Sequence, residues 1–493
     1  MKKTALFFVI LTGGIGIHSL HAQGTSSTIA YRAETSLTLS GDGHAPLWLS
    51  ANRYGLSSAA SKQAYLRAGV FAGHHFTENI HVDGGLELAG GKNLTSRFLV
   101  HQAYADFNWN QLQLSIGAKE RPGVPLEKDL RISSGMMVEG ANARPIPQIR
   151  AGITNYLPIP FTQRWVSIKG HLAYGICTDG NWQEDFAATG SHYLKGVLYH
   201  SKSAALLFGR KESFPLTFEV ALIDIAQFGG KKYRKGPDGQ DPLIQEFPTG
   251  LKSFWKALYP KQASTLENVE GNHSGSWMSA LTWHGNDWKI RAYIEHYFED
   301  HSQMFMEYGF WKDGQLGIEV TLPENPWVDK LLWEGLNTTH QTGPILYDGV
   351  AGSFEEVQVS GGDNYFNNGQ YQAWHHWGMG MTNPLIPGPI YNRNGDLHYA
   401  SSRVKAHHFG LTGSPTEAWN YRILFSHVRH WGTYPRPLDQ VRKQFSGLLE
   451  ISYAPHRFTG WSATLALATD SGNYLGDQYG MTFTLRKTGI WKR

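Results

Sequence analysis

Residues 361–394 hold the densest concentration of recognition chemistry in the chain. Tyr365, Phe366, Tyr371, Trp374, Trp377 and Tyr391 stand there among Asp363, Asn364, Asn367, Asn368, Asn383, Asn392 and Asn394. A sugar offers C–H faces that pack on aromatic rings and a rim of hydroxyls that needs both donors and acceptors. Carboxamides supply both, so Asp363, Asn364, Tyr365, Tyr371, Trp374, Trp377 and Asn383 are the candidate glycan-binding residues. A plainer reading gives the rings to an interface girdle and the Asn and Gly residues to turns. Taken alone, the stretch favours that plainer reading.

Other chemistries are poorly supported. The 23 histidines invite a metal site, but His74-His75, His375-His376 and His407-His408 are adjacent pairs. Neighbours on a strand face opposite ways and cannot chelate one ion, so no metal and no cofactor is expected. Cys177 is the single cysteine, which excludes an intrachain disulfide and a cysteine-based zinc site. Glu219, Glu295 and Glu319 fall on inward-facing strand positions, where a hydrolase would need two carboxyl groups about 5–10 Å apart. No phosphate loop, nucleophile elbow or zincin motif accompanies them, and the chain reads as a non-enzyme.

The elements that must position these residues are strands. Leu216, Phe218, Val220 and Leu222 alternate with Thr217, Glu219 and Ala221; Trp288, Ile290, Ala292 and Ile294 alternate with Lys289, Arg291, Tyr293 and Glu295. Leu112, Leu114, Ile116 and Leu316, Ile318, Val320, Leu322 repeat the pattern. A period of two gives each segment one apolar and one polar side. A soluble sandwich shows the same alternation. Charged residues sharing a strand face, and Trp109, Trp165, Trp288 and Trp461 at strand ends, favour a membrane wall with a polar lumen. No stretch after the first residues is long and apolar enough for a spanning helix, so a membrane form must be a closed barrel.

Composition agrees. The 493 residues include 55 glycines, 13% aromatics and only 17% charged residues, with a formal charge of +3. That balance excludes a disordered chain, a helical membrane protein and a coiled coil, and does not recommend nucleic acid as a partner. Lys2 and Lys3, the apolar stretch Thr4 to Ile17 and Leu20-His21-Ala22 read as a cleaved secretory signal over residues 1–22. Residues 23–493 then form one outer-membrane β-barrel of roughly 18 antiparallel strands, an all-β fold, at about 9–11 residues per tilted strand. Leu251, Phe254, Trp255, Leu258 and Tyr259 have helical spacing. Thr249 is the expected cap and Pro260 the expected stop of this short amphipathic helix, placed at the periplasmic rim. Asn325-Pro326, with Val328, Leu331 and Leu332, suggests a second helical turn.

Gln478 to Leu485 alternates polar and apolar residues and resembles the C-terminal insertion signal read by the barrel assembly machinery of bacterial outer membranes. Arg486 to Arg493 departs from that pattern, which usually ends on an aromatic. Three blocks resemble the capsule assembly Wzi family: Pro46 to Gly55; Ser133 to Met137 with Asn142 to Pro147; and Gly361 to Asn368 with Tyr371, Trp374 and Asn383-Pro384-Leu385. The resemblance implies a roughly 18-stranded barrel, closed inside, with small periplasmic helices. It also implies a lectin-like, non-catalytic role in attaching capsular polysaccharide or exopolysaccharide to the cell surface. The expected partners are that glycan, outer-membrane lipid and the assembly machinery. The alternative function is a porin-like diffusion or uptake channel, for which the polar inward face is the motive.

Overall fold

The computed structural model describes residues 26–121, 125–259, 271–299, 301–306, 312–341 and 363–492. The expected signal segment, residues 1–22, and Pro260 lie outside them. Eighteen strands carry the architecture. The first nine are β1 (Ser26–His44), β2 (Ala60–His75), β3 (Ile80–Lys92), β4 (Phe98–Trp109), β5 (Leu112–Ala118), β6 (Gln148–Pro158), β7 (Val166–Ile176), β8 (Leu198–Phe208) and β9 (Leu216–Phe228). The rest are β10 (Asn272–His284), β11 (Lys289–Phe298), β12 (Gly314–Thr321), β13 (Lys330–Asn337), β14 (Val404–Gly413), β15 (Trp419–Gly432), β16 (Pro437–Tyr453), β17 (Trp461–Gly472) and β18 (Gln478–Lys492). Each pairs antiparallel with its neighbours in chain order. β1 pairs with β18 from Ile29 opposite Lys492 to Ser40 opposite Gly480, which closes the sheet into an up-and-down barrel.

The wall is turned inside out relative to a soluble protein. On β1, Arg32, Glu34, Ser36 and Thr38 are buried while Leu37 and Leu39 are exposed. Leu66, Leu86, Val100, Ile116 and Ile149 are likewise more than half exposed on other strands. An apolar outer face over a polar lumen is stable only where lipid covers the outside. On β18 the outward residues are Tyr479, Met481 and Phe483, and the strand runs on to Lys492. The departure noted at Arg486 to Arg493 is therefore largely barrel strand, and its aromatic is Trp491, 64% exposed and stacked on Tyr31 at 4.9 Å.

Both ends of the described barrel lie at one rim, together with the short connections 76–79, 110–111, 159–165, 209–215, 285–288, 414–418 and 454–460. Trp109, Trp165, Trp288 and Trp461 are exposed at that rim and form part of a girdle. The opposite rim carries the longest connections, the external side in barrels of this type. Helix α1 (Leu47–Ser50), α2 (Trp182–Phe186), α3 (Leu251–Leu258) and α4 (His301–Met304) all belong to those connections. The amphipathic helix thus forms as expected but at the external rim, not the periplasmic one, and its N-cap is Gly250 rather than Thr249. Residues 325–329 form no helix. Asn325 Oδ1 accepts the backbone N–H groups of Trp327 and Val328, closing a turn, and Leu331 and Leu332 continue as β13.

Three of the long connections fold inward and fill the lumen. Residues 45–59, 125–147 and 363–403 bury Trp48, Leu49, Leu126, Ile132, Met136, Met137, Phe366 and Trp374 in one apolar cluster with lumen-facing wall residues. At ~1.5–3 kcal/mol for each fully buried large side chain, this cluster is the main apolar core of the molecule.

Candidate functional site

The described residues of the three sequence blocks that resemble the capsule assembly family meet in this plug; Gly361 and Gly362 lie outside the described residues. The Tyr54 and Gly55 N–H groups donate to the carbonyls of Ala141 and Asn142, and the Gly140 N–H donates to Met381 O. Asn52 Nδ2 donates to Ser134 O, and Asn142 Nδ2 to Thr382 O. Asn52, Tyr54 and Gly55 have φ of 55°, 49° and 75°. A Cβ on Gly55 would stand 2.4 Å from Arg144 Cγ, so this turn requires glycine.

Buried polar groups clamp the plug to the wall. Lys128 Nζ donates to Glu295 Oε2 at 2.6 Å and Gln315 Oε1 at 2.7 Å, and Glu295 Oε1 accepts the Met137 N–H at 3.0 Å. Glu334 accepts the hydroxyls of Ser133, Ser134 and Tyr293. Glu219 accepts the Tyr156 hydroxyl, and Glu319 lies 3.7 Å from Lys330. The three inward glutamates are each engaged by neighbouring groups.

Among the described residues, one further group has metal-ligand spacing, with Glu87, His101 and Glu120 offering atoms within 4.8 Å of one another. Arg32 donates to both Glu87 oxygens, and Arg67 reaches Glu34, Glu87 and Glu120, so two guanidinium groups already neutralise the carboxylates. Burial pushes the Glu120 carboxyl up. His101, Arg67 and Arg32 outweigh that and hold it well below the usual carboxylate range. Of the adjacent histidine pairs, His407-His408 splits as strand geometry requires: His407 stacks on Trp333, while His408 bonds to Ser426 Oγ and donates to Ile132 O. His375 and His376 instead lie in the lining of one pocket.

The candidate glycan residues divide by depth. Tyr365 is fully buried, its ring 4.8 Å from Tyr297 and its hydroxyl donating to Asp313. Trp374 is 2% exposed within the core cluster, and Asn383 is buried, donating to Ser134 Oγ and Gly135 O. Asp363 and Asn364 are half-buried, and Asp363 accepts from Gln303 Nε2 at 2.6 Å. Tyr371, as buried as Trp374 at 2% exposed, and the half-buried Trp377 lie around a pocket at the external end with Thr178, Asp179, Gln183, Gln227, His375 and His376. Of these side chains, sequence reasoning singled out only Tyr371 and Trp377 as glycan contacts. The 177–183 wall carries no aromatic cluster to mark it.

Two connections build this pocket by reciprocal docking. The Trp377 ring packs over Gly180, and the Trp182 ring packs over Gly378, where added Cβ atoms would meet those rings at 2.5 and 2.2 Å. Gly180 and Gly378 have φ of 50° and 76°, so neither position suits a side chain. Arg144 lies 3.8 Å from the Trp377 ring centroid, and Trp377 Nε1 is buried without a hydrogen-bond partner. Tyr371 stacks on Phe247 at 4.8 Å. His376 Nδ1 donates to Arg144 O, while its Nε2 accepts the Thr178 N–H. Burial lowers His375 to about 3 and His376 to about 4, so both are neutral. Burial also raises the Cys177 thiol to about 12, which removes it as a nucleophile. The lining therefore combines ring faces, carboxamides and the Asp179 carboxyl with two neutral imidazoles, of which His376 has both nitrogens already bonded within the protein.

The chain is similar in fold to Wzi of Escherichia coli, an outer-membrane protein involved in group 1 capsule assembly and a carbohydrate-binding β-barrel. The TM-score is 0.55 at 12% identity, over 94% of this chain and 84% of that one. The fold is that of an outer-membrane barrel. OccK5 (OpdH) of Pseudomonas aeruginosa aligns at a TM-score of 0.48 and 8% identity, over 94% and 98% of the two chains. OpdK of the same organism, solved with vanillate, aligns at 0.48 and 8%, over 94% and 99%. No protein-family model matches the chain, and no curated relative matches it. The family resemblance read from the sequence blocks is thus met by a likeness in fold, and identities this low carry nothing finer.

Proposed function

We propose that this barrel attaches capsular polysaccharide or exopolysaccharide to the cell surface through the external pocket, without chemical change to the glycan. The observation that carries the reading is the half-buried Trp377 ring beside Gln183, Gln227 and Asp179 at the mouth of a filled lumen. Rings for C–H faces and uncharged donors and acceptors for hydroxyls are what a sugar requires. Trp377 makes the contact, and the buried Tyr371, stacked on Phe247, backs it. Tyr365, Trp374 and Asn383 hold the plug beneath it, with Asp363 and Asn364 at its edge. The likeness in fold to a carbohydrate-binding barrel supports the same reading.

Deleting the gene releases glycan into the medium while synthesis continues; cell-bound glycan at the normal level refutes the reading. Trp377→Ala in an otherwise intact cell lowers retention about tenfold, the effect of losing ~1.4 kcal/mol, with unchanged heat-dependent mobility on an unboiled gel. Normal retention in that variant removes the ring from the binding site.

A further inference from the structure

Helix α3 does not cap the lumen; it lies on the outside of the wall. Along β8 and β9 the odd-numbered positions Tyr199, Ser201, Ala221, Ile223 and Ile225 are buried toward the lumen, whereas Ala204, Phe208 and Phe218 are exposed. By that alternation Lys202, Asp224 and Phe228 belong to the outer side. On β7, Tyr174 shares a side with exposed Leu172, and on β10, His273 shares a side with exposed Leu281.

A cation, a carboxylate and an imidazole on the outer side of a lipid-facing wall require cover. Lys202 Nζ lies 3.0 Å from Asp224 Oδ2, and His273 Nδ1 lies 3.3 Å from Asp224 Oδ1. α3 lies over this group. Ala257 O accepts from Lys202 Nζ at 3.4 Å, and Phe254 O accepts the Tyr174 hydroxyl at 2.8 Å. The Phe254 ring packs 5.2 Å from Tyr174 and 5.1 Å from Phe228. Ser253 and Ala257, small and buried, let the helix approach closely. Residues 301–306 cover the next outer positions, where Met304 O accepts Trp277 Nε1 and Gln303 O accepts His296 Nε2.

The side of α3 turned away from the wall therefore faces whatever surrounds the barrel. It carries Leu251, Trp255 and Tyr259 at i, i+4 and i+8, exposed 90%, 61% and 56%, the two rings 4.9 Å apart. Below it the same outer wall shows Leu172, Phe218 and Leu281, so the stripe continues the lipid-covered belt. We infer that α3 is a membrane-interface anchor whose Leu251–Trp255–Tyr259 stripe sits at the boundary of headgroups and acyl chains in the outer leaflet. Amphipathic rings prefer that depth, and a helix with one apolar side lies in that plane. This holds whether or not the pocket binds sugar.

The test uses the full chain carrying Cys177→Ser and Trp255→Cys, labelled with a polarity-sensitive fluorophore and reconstituted into phosphatidylethanolamine–phosphatidylglycerol vesicles. Heat-dependent mobility on an unboiled gel establishes folding. The expected result is quenching at least about twofold stronger with lipids spin-labelled near the headgroup than with lipids labelled near the acyl terminus, matching interfacial depth. Quenching by aqueous iodide alone overturns the inference, as does protection from both quenchers, which means that protein covers the stripe. Leu251→Cys in the same background repeats the measurement where the exposed side chain contributes least packing.

Discussion

At the residue scale, the plug stands on charges that have no water to fall back on. Lys128 is buried with three acceptors, namely Glu295, Gln315 and the Gly135 carbonyl. Lys128→Met removes all three bonds at similar volume and leaves the Glu295 carboxylate buried with only the Met137 N–H and the Ser276 hydroxyl. A buried charge that loses its partner costs ~3–5 kcal/mol, so the urea midpoint in detergent micelles falls well below the parent value. An unchanged midpoint means that the plug is not held through this pair. Sequence reasoning placed Glu295 on an inward strand position and gave it no partner. Its partner is 167 residues earlier, in a connection with no period to follow. The same blindness applies to Tyr365, Trp374 and Asn383. Their types suit sugar, but only the irregular path of the 363–403 connection decides which side chains turn into the core and which reach the pocket.

At the scale of elements, strands were legible because a half-covered sheet writes a period of two into the sequence, and closure follows from Ile29–Ser40 pairing with β18. The rim assignment of α3 was not, since its helical spacing says which sides are apolar and nothing about which rim carries it. The pocket is an element-scale object too, a junction of the 177–183 and 371–378 connections, and its histidines give it a pH response. Burial depresses His375 to about 3 and His376 to about 4 from 6.5, so the unfolded connection takes up protons that the folded one refuses. Stability of the junction therefore rises with pH, is full above about pH 6.5, and is lost as pH falls from there toward 4. Glycan retention is expected to hold from pH 7 to 8 and to drop by pH 5, with the wall still folded by its unboiled mobility. His376→Gln, which cannot charge, lessens the drop, and His375→Gln combined with it flattens it. Retention that is equal at pH 5 and pH 7.5 in the parent contradicts this account.

For the whole molecule the question is whether the barrel conducts. A wall with Arg291, Glu219, Glu319 and Lys330 facing inward resembles a channel lining, and that polar face motivated the porin alternative. Within the described residues, however, residues 45–59, 125–147 and 363–403 occupy the lumen as one buried cluster, tied to β11, β12, β13, β14 and β15 through Glu295, Gln315, Glu334, His408 and Arg422. Five separate strands share the load, so thermal opening of any one tie leaves the others closed. The parent protein in a planar bilayer is accordingly expected to be silent at moderate voltage. Lys128→Met combined with Glu334→Gln weakens the 125–138 crossing at two strands and should produce brief, flickering openings, because the freed segment stays tethered at both ends. A steady ohmic conductance from the parent would place the function with diffusion channels, and the motif blocks would then be packing for a pore constriction rather than the floor of a sugar site.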